Sequence, residues 1–532
     1  MTMKIPSLSD ATKYARLALD LRSFLHNTIT LEQTKQVIPQ RLRNRETNFL
    51  SLVQKGIFEN PKNPYTKLFK IAGCEFGDVE AMVKLDGVET TLHKLFAEGI
   101  YISWEEFKGK KDVVRGGNHL HFRETDFDNP FLASYYQVRS SGTRSAGTRT
   151  QFDLRHRSDI SYYYVLALAA RNALDLPMGI WMPVLPSLTG ISALLHYWNI
   201  GNPVAKWFTP VDENQVQASL RDRLALRYII YAGRLWGAKL VKPEYVSLEQ
   251  SAKVAHWMAD TKKRFGGCSL TCFPSLMVKV CQAAIENGLD ISGTHFFGGG
   301  EPLTEAKRKQ IEAAGATVDP RYWITEIGFI GCGCPGASAV DDVHIFSDSV
   351  AIIQHQRKVE HTDISVDALL FTSLLTSAPK IMLNVESDDY GVMETRKCGC
   401  LLEEVGFSRH LHNIRSFAKL TGSGMTIIGS DFVRILEEVL PQRYGGASTD
   451  YQLLEEEDSQ GQTHLNLIIS PNVGDIDEKA VIDTVLEELR RSTHGGKLAS
   501  GFWSQVNTLR IKRLRPISSS GKVQTLHLMR KQ

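Results

Sequence analysis

From about residue 131 the chain alternates short apolar strands with helices, and this narrows the folds open to it more than any other feature. "GIWMPVLP" (179–186) reads as a strand and "EQSAKVAHWMADTKKRF" (249–265) as a helix. "CSLTCFPSLMVKVCQAAIENGL" (268–289) is a strand or turn feeding a helix. "GTHFFGGGEPLTEAKRKQIEAAGATV" (293–318) gives strand, glycine turn and helix, with Thr304 as N-cap and Gly315 as stop. Such alternation predicts an α/β sheet architecture and leaves the topology open. The first hundred residues read as mainly helical, as in "LEQTKQVIPQRLRNRETNFLSLVQKGIF" (31–58), with Pro39 a break or kink.

A boundary is expected near "LTGSGMTIIGSD" (420–431), a Gly/Ser-rich turn after a polar helix. Beyond it an α+β pattern runs through the helix "DFVRILEEVL", the strand "THLNLIIS", the amphipathic helix "DEKAVIDTVLEELRRS" and the strand "VNTLRIKRL". About a hundred residues suffice for a small independent domain. With 532 residues, 42% hydrophobic and 23% charged, the chain is too long for one ordinary domain. A net charge of +3, with Lys and Arg spread throughout, makes no electrostatic case for nucleic acid. The N-terminal stretch lacks a signal-peptide h-region, and no run of 18 apolar residues occurs, so a soluble, cytoplasmic protein without a membrane span is expected. Eight cysteines in such a chain are expected as thiols, either buried and inert or metal-binding.

Four stretches carry candidate chemistry. "RSSGTRSAGTRT" (139–150) packs hydroxyls, glycines and arginines together, as either a solvated connection or a phosphate-holding loop. "FFGGGEPLT" (296–304) lets backbone approach a ligand and offers the next helix's amides. "RYWITEIG" (321–328) sets an aromatic three residues before Thr-Glu, and "PISSSGKVQ" (516–524) puts a lysine after a glycine. Each alone is weak.

In this order the four resemble the motifs of the adenylate-forming enzymes, which include acyl-CoA synthetases. The nearest likeness is to the phenylacetate–CoA ligase-like and acyl-protein synthetase-like branch, from about residue 60 to the end. The resemblance implies a large multi-subdomain N-terminal adenylation domain (1–424) and a small mobile α+β C-terminal domain (425–532). It implies ATP-dependent activation of a small carboxylic acid to acyl-AMP with release of pyrophosphate. Transfer to CoA or the phosphopantetheine of an acyl carrier protein would follow. Passage to a protein cysteine or an amine, or a non-catalytic nucleotide-binding scaffold, are the other readings. A homodimer is compatible with all of them.

Carried over by residue, Ser140, Ser141, Gly142, Thr143, Ser145, Gly147 and Thr148 would hold the β- and γ-phosphates, with Arg144 and Arg149 adding charge. Gly299, Gly300, Glu301 and Pro302 would line the adenine cleft and Tyr322 would stack on the base. Thr325 would contact the α-phosphate, Glu326 would help hold Mg²⁺, and Lys522 would act in adenylation only. The loop departs from the usual S-S-G-T-T-G-x-P at Arg144-Ser145-Ala146. The ribose aspartate is assigned to Asp388 over Asp389 in "IMLNVESDDYG", and the ribose base to Lys419, with Arg415 behind it.

"GCGCP" (331–335), His344 and "KCGC" (397–400) supply Cys/His at spacings that suit tetrahedral zinc. The expected structural site is Cys398, Cys400, His344 and one of Cys332 or Cys334; the resemblance includes relatives with a similar site. The acyl pocket is expected from 181–198, 268–276 and 294–297, mostly apolar and aromatic, favouring an aryl or fatty acid. Those stretches offer a strongly charged substrate group no evident partner.

Overall fold

The computed structural model describes residues 19–132, 136–139, 149–184, 189–211, 220–301, 303–358 and 365–416. Beyond these it describes 419–422, 425–428, 432, 434–447, 450–457, 463–492, 509–516, 518–519, 522–523 and 526–528. The phosphate-loop candidates from Ser140 to Thr148, and Pro302, lie outside the described residues.

A twelve-stranded sheet organises the chain. Its strands, numbered here in chain order, are β1 (Met178–Trp181), β2 (Val204–Thr209), β3 (Pro243–Tyr245), β4 (Ser269–Thr271), β5 (His295–Gly298) and β6 (Thr317–Ile324). They continue with β7 (Gly328–Cys332), β8 (Val343–Ile345), β9 (Val350–Lys358), β10 (Ser365–Ser373), β11 (Val385–Thr395) and β12 (Arg409–Ser416). The spatial order is β9-β10-β11-β12-β8-β7-β6-β5-β4-β1-β2-β3. Every pair from β3 to β6 is parallel. Every pair from β6 to β9 is antiparallel. The mixed α/β architecture expected from the alternation is therefore present, with β6 as the junction between two kinds of sheet.

Parallel strands need crossovers, and the helices that supply them cover both faces. Neighbouring strand residues point to opposite sides, so Phe296 joins the core under the helices Ser251–Phe265 and Pro274–Glu286. Phe297 joins the core under Leu154–Ala169 and Thr189–Asn199. The helices Arg45–Val53, Pro64–Ala72 and Phe76–Ala97 pack a third core against the antiparallel half, on Val350, Leu370 and Leu411 among others.

Local expectations hold at several points. Thr304 caps the helix Glu305–Ala313 by accepting from the Lys307 amide, and Gly315 follows with a φ of +73°. Pro39, expected to break or kink its helix, lies inside Leu31–Arg43. A proline there forfeits one backbone bond; Thr30 closes a capping box with Gln33, and Thr34 and Ile38 are buried. The segment before "LTGSG", expected as a polar helix, is instead strand β12. Its partners β8 and β11 dictate extended backbone that the local polarity does not reveal. After it, Lys419–Gly422 and Met425–Ile428 form a hairpin. The C-terminal strands Tyr451–Glu457, Thr463–Ile469, Leu509–Arg513 and Leu526–Leu528 make a separate four-stranded sheet, accompanied by the helix Glu478–Ser492.

One buried charge ties the N-terminal helices to the sheet. Asp348 is fully enclosed, accepts from the Tyr163 hydroxyl at 2.8 Å and lies 3.8 Å from Arg41. Burial pushes its carboxyl up to about 6. Arg41 pulls the other way but is bonded more closely to Asp159. A carboxyl with a raised native pKa holds its proton longer than the unfolded chain does, so its contribution falls as pH rises from about 4 to 6. Asp348→Asn, which mimics the protonated form, is expected to gain roughly 1–3 kcal/mol on the wild type between pH 4 and pH 7. Paired denaturation curves at the two pH values check this, and a gap that does not change with pH contradicts it.

Candidate functional site

Open α/β sheets bind ligands beyond the carboxyl ends of their parallel strands, where the chain turns back. Strand β5 ends there in the glycine turn. A Cβ on Gly299 would stand 2.0 Å from the Arg321 carbonyl oxygen, and one on Gly298 would stand 2.6 Å from that of Cys272. Gly300 has a φ of +88° and faces the Phe273 ring. These glycines are thus required by the close approach of β5, β6 and the Cys272–Phe273 turn. Glu301 is buried and accepts from the Ser275 amide, capping the positive end of Pro274–Glu286. That bond ties it to the scaffold.

Strand β6 ends beside the same turn. Tyr322 donates its hydroxyl to Asp389 at 2.7 Å, which reaches across to β11. Burial and the neighbouring Asp389 carboxylate raise the phenol well above its ordinary range. Asp388 is buried and Asp389 half-buried. The preferred ribose candidate, Asp388, is therefore adjacent to the residue that bonds Tyr322. Thr325 is exposed on the turn after β6, while Glu326 is buried.

Sequence reasoning missed the partner of Glu326. Lys108, fully enclosed, sets its ammonium 3.3 Å from Glu326 and 3.3 Å from Glu124, and 4.5 Å from the Trp104 ring centroid. "WEEFKGKKD" carries no pattern that would single out this lysine; only a buried acid at position 326 calls for it. Of the ribose-base candidates, Arg415 is bonded to Asp341 at 2.8 Å, and Lys419 is described in its backbone alone, in a hairpin strand. Lys522 likewise has a described backbone, in a short strand paired with Ser518–Ser519. The loop 140–148 joins a hairpin whose last described pair is Arg139 with Arg149. That hairpin runs into the helix Leu154–Ala169, capped by Asp153.

A second constellation lies at the edge of β7 and β8. Cys334, His344, Cys398 and Cys400 bring their ligand atoms within 4.8 Å of one another. His344 Nε2 is 3.3, 3.4 and 3.2 Å from the sulfurs of Cys334, Cys398 and Cys400, and the first two sulfurs are 3.9 Å apart. Tetrahedral zinc bonds to sulfur and nitrogen require ligand atoms about 3.6–3.8 Å apart, so this donor set fits that ion. His344 Nδ1 donates to the Phe407 carbonyl at 2.7 Å, which leaves Nε2 as the lone-pair nitrogen facing the sulfurs. A hydrogen bond from Cys334 lowers the Cys400 thiol below its ordinary range. Glu403 accepts from the amides of Cys398 and Gly399, fixing the loop. Cys332, the other candidate, pairs with His344 across the β7–β8 ladder and is not among the four converging ligands.

No protein-family profile matches the chain, and no curated protein matches it. Distant structural likenesses exist. One is a 2-hydroxyisobutyryl-CoA ligase in complex with 2-HIB-AMP and CoA, 14% identical, covering 94% of this chain and 91% of that one, with a TM-score of 0.47. Another is the amide bond synthetase McbA from Marinactinospora thermotolerans, 12% identical, covering 77% and 71%, with a TM-score of 0.41. A third is the anthranilate CoA ligase AuaEII in complex with anthranoyl-AMP, 11% identical, covering 82% and 74%, with a TM-score of 0.32. All three TM-scores are below 0.5. No described helix is long and apolar enough to cross a membrane.

The glycine turn has a direct test. Gly299→Ala must push β6 backbone, and is expected to cost roughly 1–3 kcal/mol. Gly77→Ala, where nothing lies within 4 Å of the added carbon, is expected to be neutral or mildly stabilising. Thermal denaturation of both variants checks the contrast.

Proposed function

We propose that this chain activates a carboxylic acid with ATP to an acyl-AMP, releasing pyrophosphate, and then passes the acyl group to a thiol. What most supports the reading is that the glycine turn, Tyr322, Glu326 and the Asp388–Asp389 pair meet at one end of the parallel strands. These come from two of the four motif stretches whose order suggested adenylation, together with the expected ribose aspartate.

In the proposed reaction a carboxylate oxygen of the acid attacks the α-phosphorus of ATP, and the bond to the β-phosphate oxygen breaks. Every participant is anionic, so catalysis rests on alignment and on balancing charge. MgATP enters as substrate. The hydroxyls and amides of 140–148 hold its terminal phosphates, Tyr322 supports the base, Asp388 the ribose and Thr325 the α-phosphate. A magnesium ion carried on phosphates needs only one or two protein carboxylates. Glu326 is that ligand, and Lys108 keeps its charge balanced until the nucleotide arrives. Lys522, on the proposed C-terminal domain from residue 425, neutralises the reacting oxygens during adenylation. That domain then turns away, and a thiol sulfur attacks the acyl carbon and expels AMP. CoA or a carrier-protein phosphopantetheine is the proposed acceptor, over a protein cysteine or an amine.

The purified chain is expected to catalyse acid-dependent exchange of pyrophosphate into ATP across a panel of carboxylic acids. Absence of exchange with every acid would sink the reading. Lys522→Ala is expected to lower exchange roughly 10²–10³-fold. Thioester formation from supplied acyl-AMP should change by only a few-fold. Equal loss of both contradicts a role confined to adenylation.

In the same proposal, Cys334, His344, Cys398 and Cys400 hold a structural zinc ion. The four donors fill its coordination shell, so the ion ties β7 and β8 to the 398–400 loop and takes no part in the chemistry. Metal analysis should find about one zinc per chain, and Cys398→Ser with Cys400→Ser should lose it and unfold at lower temperature. Less than about a tenth of an equivalent in the wild type would dispose of the site.

A further inference from the structure

Arg321 precedes Tyr322 on β6 and faces the other side of the sheet. It is only 5% exposed, and its guanidinium lies 4.7 Å from the Tyr164 ring and 4.6 Å from the Phe297 ring. Nη1 donates to the Tyr197 hydroxyl at 3.0 Å, and that oxygen is 2.6 Å from the Thr271 hydroxyl. Nε and Nη2 have no hydrogen-bond partner among the described residues.

The surroundings deepen the imbalance. Arg157 places Nη1 3.4 Å from His196 Nε2, and its enclosed Nε is also without a partner. His196 Nδ1 is 3.0 Å from the Ser161 hydroxyl, and the buried His156 leaves Nδ1 unbonded. Burial together with Arg157 drives both imidazoles down, His156 to about 3, so both are neutral at pH 7. Asp153 already accepts from the amides of Arg155 and His156. Asp319, the other acid on β6 nearby, is held by Arg171. The strongest electrostatic influences on Arg321 are Tyr197, Tyr164 and Cys332, none of them a carboxylate.

A buried guanidinium normally has a hydrogen-bonded counterion. The unfilled edge here is Nε with Nη2. The same edge of Arg171 grips both oxygens of Asp319, at 2.6 Å each. A carboxylate is the group that fits it. Tyr197, Thr271 and Phe297 belong to the three stretches expected to line the acyl pocket. Those stretches read as apolar; Arg321 and Arg157 come from outside them.

We propose that the acid substrate is a dicarboxylic acid, whose second carboxylate docks bidentately on the Nε–Nη2 edge of Arg321. The inference rests on the adenylation reading. It leaves the body of the acid aryl or aliphatic, since the side chains around the Arg321 guanidinium include the Tyr164, Phe297 and Phe329 rings. Arg157 and His196 extend the polar end of the site.

The test measures binding and exchange separately on the full chain. Glutarate, adipate and terephthalate are compared with butyrate, hexanoate and benzoate, with inorganic phosphate as a further arm. Binding is followed by calorimetry and by tryptophan fluorescence, since Trp323 lies 6.3 Å from the His196 ring. Each diacid is expected to bind and exchange roughly 10–100-fold better than its matched monoacid. Arg321→Met should erase that preference while unfolding at or above the wild-type temperature, because an unpaired buried charge has been removed. Should that variant fail to fold, Arg321→Lys keeps a charge without the planar edge and should also lose the preference.

Equal use of mono- and diacids, or a diacid preference that survives both substitutions, overturns the proposal and leaves adenylation standing. Phosphate binding as tightly as the diacids in an Arg321-dependent way overturns it as well, since the site would then be a general anion hole. No exchange with any acid sinks adenylation, while Arg321-dependent diacid binding would still uphold the docking site.

Discussion

Strand β6 is the element on which the rest depends, because it pairs in parallel with β5 and antiparallel with β7. That change of direction joins a helix-covered parallel half to an antiparallel half. The carboxyl end of β6 turns straight into β7, with Ile324 paired to Gly328. Residues that alternate along this one strand serve different compartments. Tyr322 reaches β11 through Asp389, while Arg321 is sunk among the aromatic side chains under the helices. The carbonyl of Arg321 presses on Gly299, so the glycine turn and the strand cannot shift independently.

Buried charge is the second organising constraint. Removing an ion from water costs several kcal/mol unless partners replace the solvent. The structure meets this with specific pairs: Lys108 with Glu326 and Glu124, Arg171 with Asp319, Lys380 with Asp128, and Arg41 with Asp159 and Asp348. Against that pattern the unfilled edge of Arg321 stands out, as does the unpartnered Nε of the enclosed Arg157. The cysteine–histidine cluster follows a related logic, with the donors converging on one point and Phe407 and Glu403 orienting them.

Much of the secondary structure was legible because it is written locally. The N-cap Thr304, the stop at Gly315, and the apolar cores of 269–271, 274–286 and 295–298 depend on neighbours within a few residues. Strand β12 was misread as helix because its extended form comes from β8 and β11, distant in sequence. Pro39 does not break its helix, because a capped helix with buried residues outweighs one lost bond. The cysteine and histidine ligand types were visible as motifs. Which of Cys332 and Cys334 joins them depends on where β7 ends, and hence on a turn bounded by Gly333 and Gly336.

The amino-acid order by itself determined the alternating α/β plan, the helical N-terminal region and the candidate residues of the seam, because periodicity, caps and glycine turns act over short range. The tertiary structure alone decided that Lys108 answers Glu326, that Asp389 takes the Tyr322 hydroxyl, and that Arg321 lies buried beside Tyr197 and Phe297. Each of those contacts joins residues separated by more than twenty positions, in one case by more than two hundred. Charge pairing across such gaps is set by how strands and helices stack, and no local pattern encodes it.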